Sequence, residues 1–273
     1  MPREHVISID PSRPLGEEPG PGHNRWHEAI EPAVEVDPGD TVVYETRDAF
    51  DGQLSDASTA EDVGNLDLRP VHPLTGPVFV KGAEPGDLLE VEVVAIEADP
   101  WDQWGYTAEV PGFGFLRDEF PDPFIVHWRL HGIEYAESEQ LPGVRIRCSP
   151  HPGVLGLAPS AELRRRAAER EAKVAGRGGF VLPPEPGGAV PAEEPISGEA
   201  LRTIPPRETA GYIRHKADHT GHHRPATGLH PGRPGLDWRR ALRPGRLRGL
   251  RNGHRDEVAR PPAALGQERR GRA

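Results

Sequence analysis

"VFVKGAEPGDLLEVEVVAIEAD", residues 78–99, decides the fold. An apolar run holding Val78 and Val80 is broken by Pro85-Gly86-Asp87, then resumes as the alternation Leu89, Val91, Val93. Apolar residues at every second position make a strand with one buried face. Proline presets φ at the first central position of a turn, and glycine accepts the positive φ at the second, so Pro-Gly predicts a type II turn. The plan recurs upstream: "AVEVDPGDTVVYETRD" (33–48) reads strand, Pro38-Gly39 turn, strand. Two such units predict antiparallel sheet with one side on a core. "HVISI" (5–9) has strand composition as well.

The bulk composition agrees. Of 273 residues, 35% are hydrophobic, and Gly and Pro number 32 each, which favours short strands and turns over long helices. The length suffices for a large domain with a real core. One convincing helix is expected in "APSAELRRRAAEREAKVAGRGG" (158–179), with Ser160 as its cap, Glu162 in the first turn and Gly176 at its end. Its apolar stripe (Leu163, Ala167, Val174) is thin, which predicts a surface helix. "LPPEPGGAVPAEEP" (182–195) has too little apolar surface to offset ordering entropy and reads as loop or disorder. "LRTIPPRE" (201–208) resumes an ordered pattern.

Charge is unevenly spread. The net charge is −10, yet residues 209–273 carry 15 Lys/Arg against 5 Asp/Glu, a net of +10. The preceding 208 residues therefore carry 33 − 15 = 18 basic and 43 − 5 = 38 acidic groups, a net of −20. A body this acidic repels nucleic acid and anionic membrane, so neither is an expected partner. The single cysteine, Cys148, excludes a disulfide framework within the chain. "MPREHVISID" lacks the apolar stretch of a secretory signal and no run of eighteen apolar residues occurs, so the expected compartment is the cytoplasm.

Four loop clusters place histidines or acids beside rigid Pro and Gly: "GHNRWHEAIEP" (22–32), "VHPLTGPVFVKGAEPGD" (71–87), "SPHPGVLGLAPS" (149–160) and "TIPPRE" (203–208). Sites on a β scaffold are commonly positioned this way. None is a compact metal motif, and the plain alternative for each histidine is a loop residue bonded to backbone. Asp40 and Asp87, each after Pro-Gly, are expected to satisfy turn or strand-end amides. Trp26, Trp101 and Trp104 are expected to pack.

Seven blocks in order resemble the acetamidase/formamidase family: "HNRWH" (23–27), "HPLTGPVFVKGAEPGDLLEVEV" (72–93), "WGYT" (104–107), "GFGFLRDEFPD" (112–122), "LPGVRI" (141–146), "PHPGVLGLAPS" (150–160) and "TIPPRE" (203–208). The resemblance covers residues 1–208. It implies a β-rich α+β fold with antiparallel, jelly-roll-like sheets and one or two surface helices. It also implies hydrolysis of formamide or acetamide to acid and ammonia by a cytoplasmic homo-oligomer. The alternative is a non-catalytic β-sandwich that binds a small polar ligand.

Amide hydrolysis needs an activated nucleophile, an oxyanion stabiliser and an acid for the leaving nitrogen. One route is water on a divalent metal ion, whose pKa falls to about 7. His72 and His151 are then the expected ligands, with Glu84 or Glu208 as further ligand or base. The second route is a thiol nucleophile, for which Cys148 is the sole candidate. The metal-water route is the preferred expectation.

The resemblance stops at Glu208. Relatives continue past Pro-Pro-Arg-Glu with Asn-Gly-Gly-Asn and later carry a block close to Gly-Asp-x-His-Phe-x-Gln. Residues 209–273 hold neither block, hold no period of 2 or 3.6, and predict an unstructured Arg/Pro/Gly/His tail. "LDWRRALRPG" (236–245) can be written CTC GAT TGG CGA CGC GCA CTT CGC CCA GGG. Started one base later, it encodes Ser-Ile-Gly-Asp-Ala-His-Phe-Ala-Gln. The displaced frame also allows Glu-Val-Cys-Gly-Thr-Ala-Ile-Glu within the codons of 245–257. A reading-frame change between Glu208 and about Arg214 is therefore expected, with activity impaired by the lost block. The rival, a basic arm that binds nucleic acid, accounts for the composition but not for the hidden block.

Overall fold

The computed structural model describes residues 2–18, 20–85, 87, 89–97, 103–132, 134–148, 150 and 152–209, and the backbone alone of 210–212, 223–225 and 236–242. In chain order the strands of the first half are β1 (Glu4–Ile7), β2 (Gly22–His23), β3 (Arg25–Trp26), β4 (Val34–Val36), β5 (Thr41–Tyr44), β6 (Leu74–Thr75), β7 (Val78–Val80) and β8 (Glu90–Glu92). They are followed by β9 (Trp104–Glu109), β10 (Phe124–His131), β11 (Tyr135–Glu137), β12 (Arg145–Arg147), β13 (Val154–Pro159), β14 (Leu201–Arg202), β15 (Ala210–Tyr212), β16 (His223–Pro225) and β17 (Leu236–Leu242). Helix α2 (Ala161–Ala175) is long, whereas α1 (Ala60–Gly64) and α3 (Ile196–Glu199) are single turns.

The β-rich expectation holds. Among the described residues, a seven-stranded sheet joins β15, β13, β17, β6 and β2, with β7 on β17 and β4 on β7. A four-stranded antiparallel sheet runs β12-β11-β10-β9. The main core lies under the large sheet, where Val36, Val42, Tyr44, Val78, Val80, Leu89, Val91, Leu155 and Leu157 pack together. The alternation read at Leu89, Val91 and Val93 is the buried face of β8 and its flanks.

The Pro38-Gly39 turn falls where expected, but the pairing differs; Gly86 of the second turn lies outside the described residues. Gly39 has φ +91°, as a type II turn requires. Its flanking strands nevertheless do not pair with each other: β4 runs parallel to β7, and β5 runs parallel to β1. The carboxylate of Asp40 explains this arrangement. It accepts from the Arg3 amide (2.8 Å), the His5 ring (2.9 Å) and the Asp37 amide (3.1 Å), so the turn is bonded to β1 rather than closed as a hairpin. The Arg3 amide and the His5 ring hold Asp40 at a pKa of about 2. Asp87 accepts from the Glu84 amide at 3.0 Å, a turn role as expected.

Ser160 caps α2 by accepting from the Leu163 amide at 3.2 Å, and Gly176 ends the helix. The helix buries Leu163, Arg164 and Ala167, a narrow face, and ion pairs hold it down. Arg164 donates to both oxygens of Glu28 (2.8 and 2.7 Å) and to Glu199 (3.0 Å). Glu171 receives the buried Arg207.

Residues 182–195 form an ordered loop. The body supplies the donors: Asn24 Nδ2 donates to Pro70 O (3.1 Å) and Gly188 O (2.7 Å), and Arg25 donates to Glu185 O (2.8 Å) and Gly187 O (3.2 Å). Polar bonding replaces the apolar burial that the composition lacks. Of the tail expected to be unstructured, three segments are described, each a strand: β15 on β13, β16 on β8, and β17 between β13 and the β6–β7 run. Main-chain ladders tolerate many sequences, so backbone pairing can seat a segment with no apolar period. The rest of the tail lies outside the described residues.

Candidate active site

His72 stands just before β6, where two segments distant in sequence meet it. The Thr203 hydroxyl accepts from the His72 amide at 2.7 Å and donates to the His72 carbonyl at 2.9 Å. Thr203 is placed by the preceding pairing of β14 with β3, Leu201 to Trp26 and Arg202 to Arg25. The His72 ring is half-buried, and its Nδ1 lies 3.1 Å from the Ala49 carbonyl. A carbonyl only accepts, so Nδ1 carries the proton and Nε2 carries the lone pair.

The loop that supplies Ala49 is rigid. Asp48 accepts from the Phe50 amide (2.9 Å), the Gly52 amide (3.1 Å) and the Tyr106 hydroxyl of β9. Thr75 of β6 donates to Glu45 O at 2.8 Å. Buried Arg47 pairs with Glu18 and Asp51. The small sheet is thereby tied, through Tyr106 and Asp48, to the carbonyl that orients His72.

The other expected site residues are placed elsewhere or lie out of view. β6 and β7 run along β17 in one direction, with Thr75 opposite Leu242 and Phe79 opposite Arg239. His72 precedes that run and Glu84 follows it, so they stand at opposite ends, and Glu84 is exposed in its turn. Glu208 receives both terminal nitrogens of Arg170 (2.6 and 2.9 Å), and this pairing lowers its pKa to about 2. A carboxylate that acidic is a poor proton acceptor at neutral pH. His151 lies outside the described residues. Among the described residues, no group of three or more His, Cys, Asp or Glu side chains is arranged to hold a metal ion. Cys148 is half-buried against Val126, Trp128 and Ala136, and burial pushes its pKa up, which keeps it a thiol.

The "HNRWH" cluster is structural. Besides Asn24 and Arg25, His23 is buried and donates from Nδ1 to Arg25 O at 2.7 Å, and burial lowers its pKa to about 4. His27 Nδ1 accepts from the Ala29 amide at 3.0 Å. Trp26 fills a core cluster with Leu74, Val154, Ala167 and Leu201. Sequence reading missed Thr203, the Ala49 carbonyl and Asp48. The one available signal was Asp48 in "TRDAFDG" (46–52), an acid within a turn.

Known proteins agree with this architecture. The acetamidase of Mycolicibacterium smegmatis is 38% identical over 229 residues, which cover 76% of this chain and 56% of that protein. The formamidase of Methylophilus methylotrophus is 34% identical over 220 residues, 76% of this chain and 54% of that one. The chain thus spans about half the length of the curated relatives it matches. Among solved structures, the gamma lactamase from Delftia acidovorans superimposes with a TM-score of 0.75 at 31% identity, over 91% of this chain and 61% of that one. The family signature matches residues 8–222, and the chain belongs to the acetamidase/formamidase family.

Proposed function

We propose that the chain hydrolyses short aliphatic amides such as formamide and acetamide, with His72 as the proton-transfer group. The observation that carries this reading is the fixed tautomer: Nδ1–H on Ala49 O puts the imidazole lone pair on Nε2. Nε2 takes a proton from water as its oxygen adds to the amide carbon. The imidazolium then returns that proton to the amide nitrogen, the C–N bond breaks, and acid and ammonia leave. His151 stays in the reading on its place in the sequence, and a divalent metal ion remains an expectation that the described residues do not develop. Glu84 and Glu208 are assigned turn and ion-pair roles. The reading also includes a cytoplasmic, self-associating protein.

The same reading includes a changed reading frame after Glu208. Its structural support is the seat of β17, a central place beside β13, which is buried along its whole length. The segment in that seat reads Leu-Asp-Trp-Arg-Arg-Ala-Leu, and it sets Arg240 opposite Leu157 and Arg239 opposite Phe79. The frame displaced by one base reads Ser-Ile-Gly-Asp-Ala-His-Phe over the same seven codons.

The test is ammonia release from formamide and acetamide by three proteins: this chain, the frame-restored chain and the frame-restored His72→Asn variant. Strong activity on restoring the frame, reduced roughly 10²–10⁴-fold by His72→Asn, is expected. Equal activity in the first two proteins rejects the impairment. An active His72→Asn variant rejects the assignment of His72.

A further inference from the structure

The four-stranded sheet carries two exposed apolar patches, one acidic and one bearing two arginines. The β9–β10 connection, "FGFLRDEFPDPF" (113–124), turns its large side chains outward. Phe115 is fully exposed, and Leu116, Phe120 and Phe124 are each more than half exposed. This is an ordered segment: the amides of Glu119 and Phe120 donate to Leu116 O, both at 2.9 Å, and Phe113 packs edge-on against Phe180 at 5.4 Å. Its charge is acidic. Asp118 has only a 4.0 Å contact to Arg117, and Glu119 and Asp122 form no ion pair among the described residues.

The second patch is the opposite edge of the sheet. β12 is exposed at all three residues and is the last strand in the order, so among the described residues one side of its backbone is unpaired. Val144 and Ile146 are nearly half exposed there, beside Leu141. β12 itself carries two arginines, Arg145 and Arg147, with Glu137 and Glu139 beside it, the latter paired with Arg129 at 3.0 Å. Arg147 forms no ion pair among the described residues, whereas Arg145 reaches Glu137 at 3.4 Å and lies over the Tyr135 ring at 4.8 Å.

We infer that these patches bind each other between two copies of the chain, the acidic aromatic loop of each copy covering the aliphatic, arginine-bearing β12 edge of the other. Both lie at one end of the sheet. Gln140, in the β11–β12 connection, accepts from the His127 amide (2.7 Å) and donates to Ile125 O (2.9 Å), which brings that connection beside the start of β10, where the aromatic loop ends. A two-fold axis can therefore satisfy both contacts at once and close the assembly as a dimer. The exposed apolar side chains amount to roughly 600 Å² on the loop, itself at the upper limit for an uncommitted monomer surface. With roughly 250 Å² more on the edge, two reciprocal contacts cover about 1,700 Å², within the range of specific interfaces. The self-association proposed above is the reading this rests on; the surface is the new element.

Sedimentation velocity on the full chain tests it with Glu119→Lys, Arg147→Glu and the two combined. The wild type sediments as a dimer that weakens with salt. Each single reversal shifts it to monomer, while the combined variant, and an equimolar mixture of the two singles, recover the dimer. Phe120→Ser, which removes apolar area and leaves charge alone, also gives monomer. A monomeric wild type overturns both this surface and the self-association reading. An oligomer indifferent to all four variants, or single reversals that the combination does not rescue, overturns the surface alone.

Discussion

Gly156→Ala measures how tightly the large sheet is packed onto the segments that hold the site. Gly156 lies in the middle of β13, with Leu155 and Leu157 on the core side. A Cβ at this position would come 2.5 Å from the Thr209 carbonyl oxygen and 2.5 Å from Trp26 Cη2. Neither can give way easily: the first is backbone that accepts from the Leu157 amide at 2.9 Å, and the second belongs to an indole only 2% exposed. Overpacking of a well-filled core costs about 1–3 kcal/mol, and two rigid obstacles place this case near 3. For a domain of this size that lowers Tm by roughly 6–12 °C. Gly105→Ala is the control, since a Cβ there meets nothing within 4 Å. Thermal melts followed by circular dichroism should separate the two variants by at least 5 °C, on the order set by that scaling. Trp26→Phe in the Gly156→Ala background should recover part of the loss, because the two positions are in contact and couple. Equal melting of Gly156→Ala and Gly105→Ala would refute the packing argument.

Three further outcomes are expected. His23 has a folded pKa of about 4, below its ordinary value, so the unfolded chain binds its proton first as pH falls; the stability tied to it is complete above pH 6.5, falls between 6.5 and 4, and amounts to about 3 kcal/mol. Urea titrations of wild type and His23→Gln across that window check it, and parallel pH profiles for the two would count against it. Arg25→Met strips the donors from Glu185 O and Gly187 O, so limited proteolysis should cut first within 182–195; unchanged cleavage elsewhere in the chain would contradict the anchoring role. Glu208→Gln removes a bidentate but partly exposed pair with Arg170, and should cost no more than about 1 kcal/mol and leave amidase activity of the frame-restored protein within a few fold. A loss comparable to His72→Asn would return Glu208 to the catalytic set.

What could be read from the sequence was local. Pro38-Gly39 fixes φ at two neighbouring residues, so its turn is written in the dipeptide, and Gly39 adopts the positive φ expected. The same holds for Ser160 as a helix cap. Strand partners were not legible, because a turn sets a reversal and not a neighbour. β5 goes to β1 because the Asp40 carboxylate bonds back to Arg3 and His5, more than thirty residues away in sequence. The "HNRWH" cluster failed as a site prediction for a similar reason. A histidine beside an arginine looks alike in a binding loop and in a buried tie, and what separates them here is a set of carbonyls about 160 residues downstream. His72 was legible as a candidate, but its tautomer was not, since the Ala49 carbonyl that fixes it carries no side-chain signature.

The carboxylates make the more general point. In a body with a net charge of −20 there are many candidate bases, and residue type cannot rank them. Arginine placement does. Arg164 occupies Glu28 and Glu199, Arg170 occupies Glu208, and Arg207 occupies Glu171, so four acids around α2 serve to hold a helix whose apolar face is too narrow to hold itself. The pairing with Arg170 keeps Glu208 ionised and poorly basic, at a pKa of about 2. Asp48 accepts from two amides and a tyrosine hydroxyl, one residue from the carbonyl that orients His72. The 45–52 loop thus ties the small sheet to the carbonyl beside His72 through hydrogen bonds to the Asp48 carboxylate.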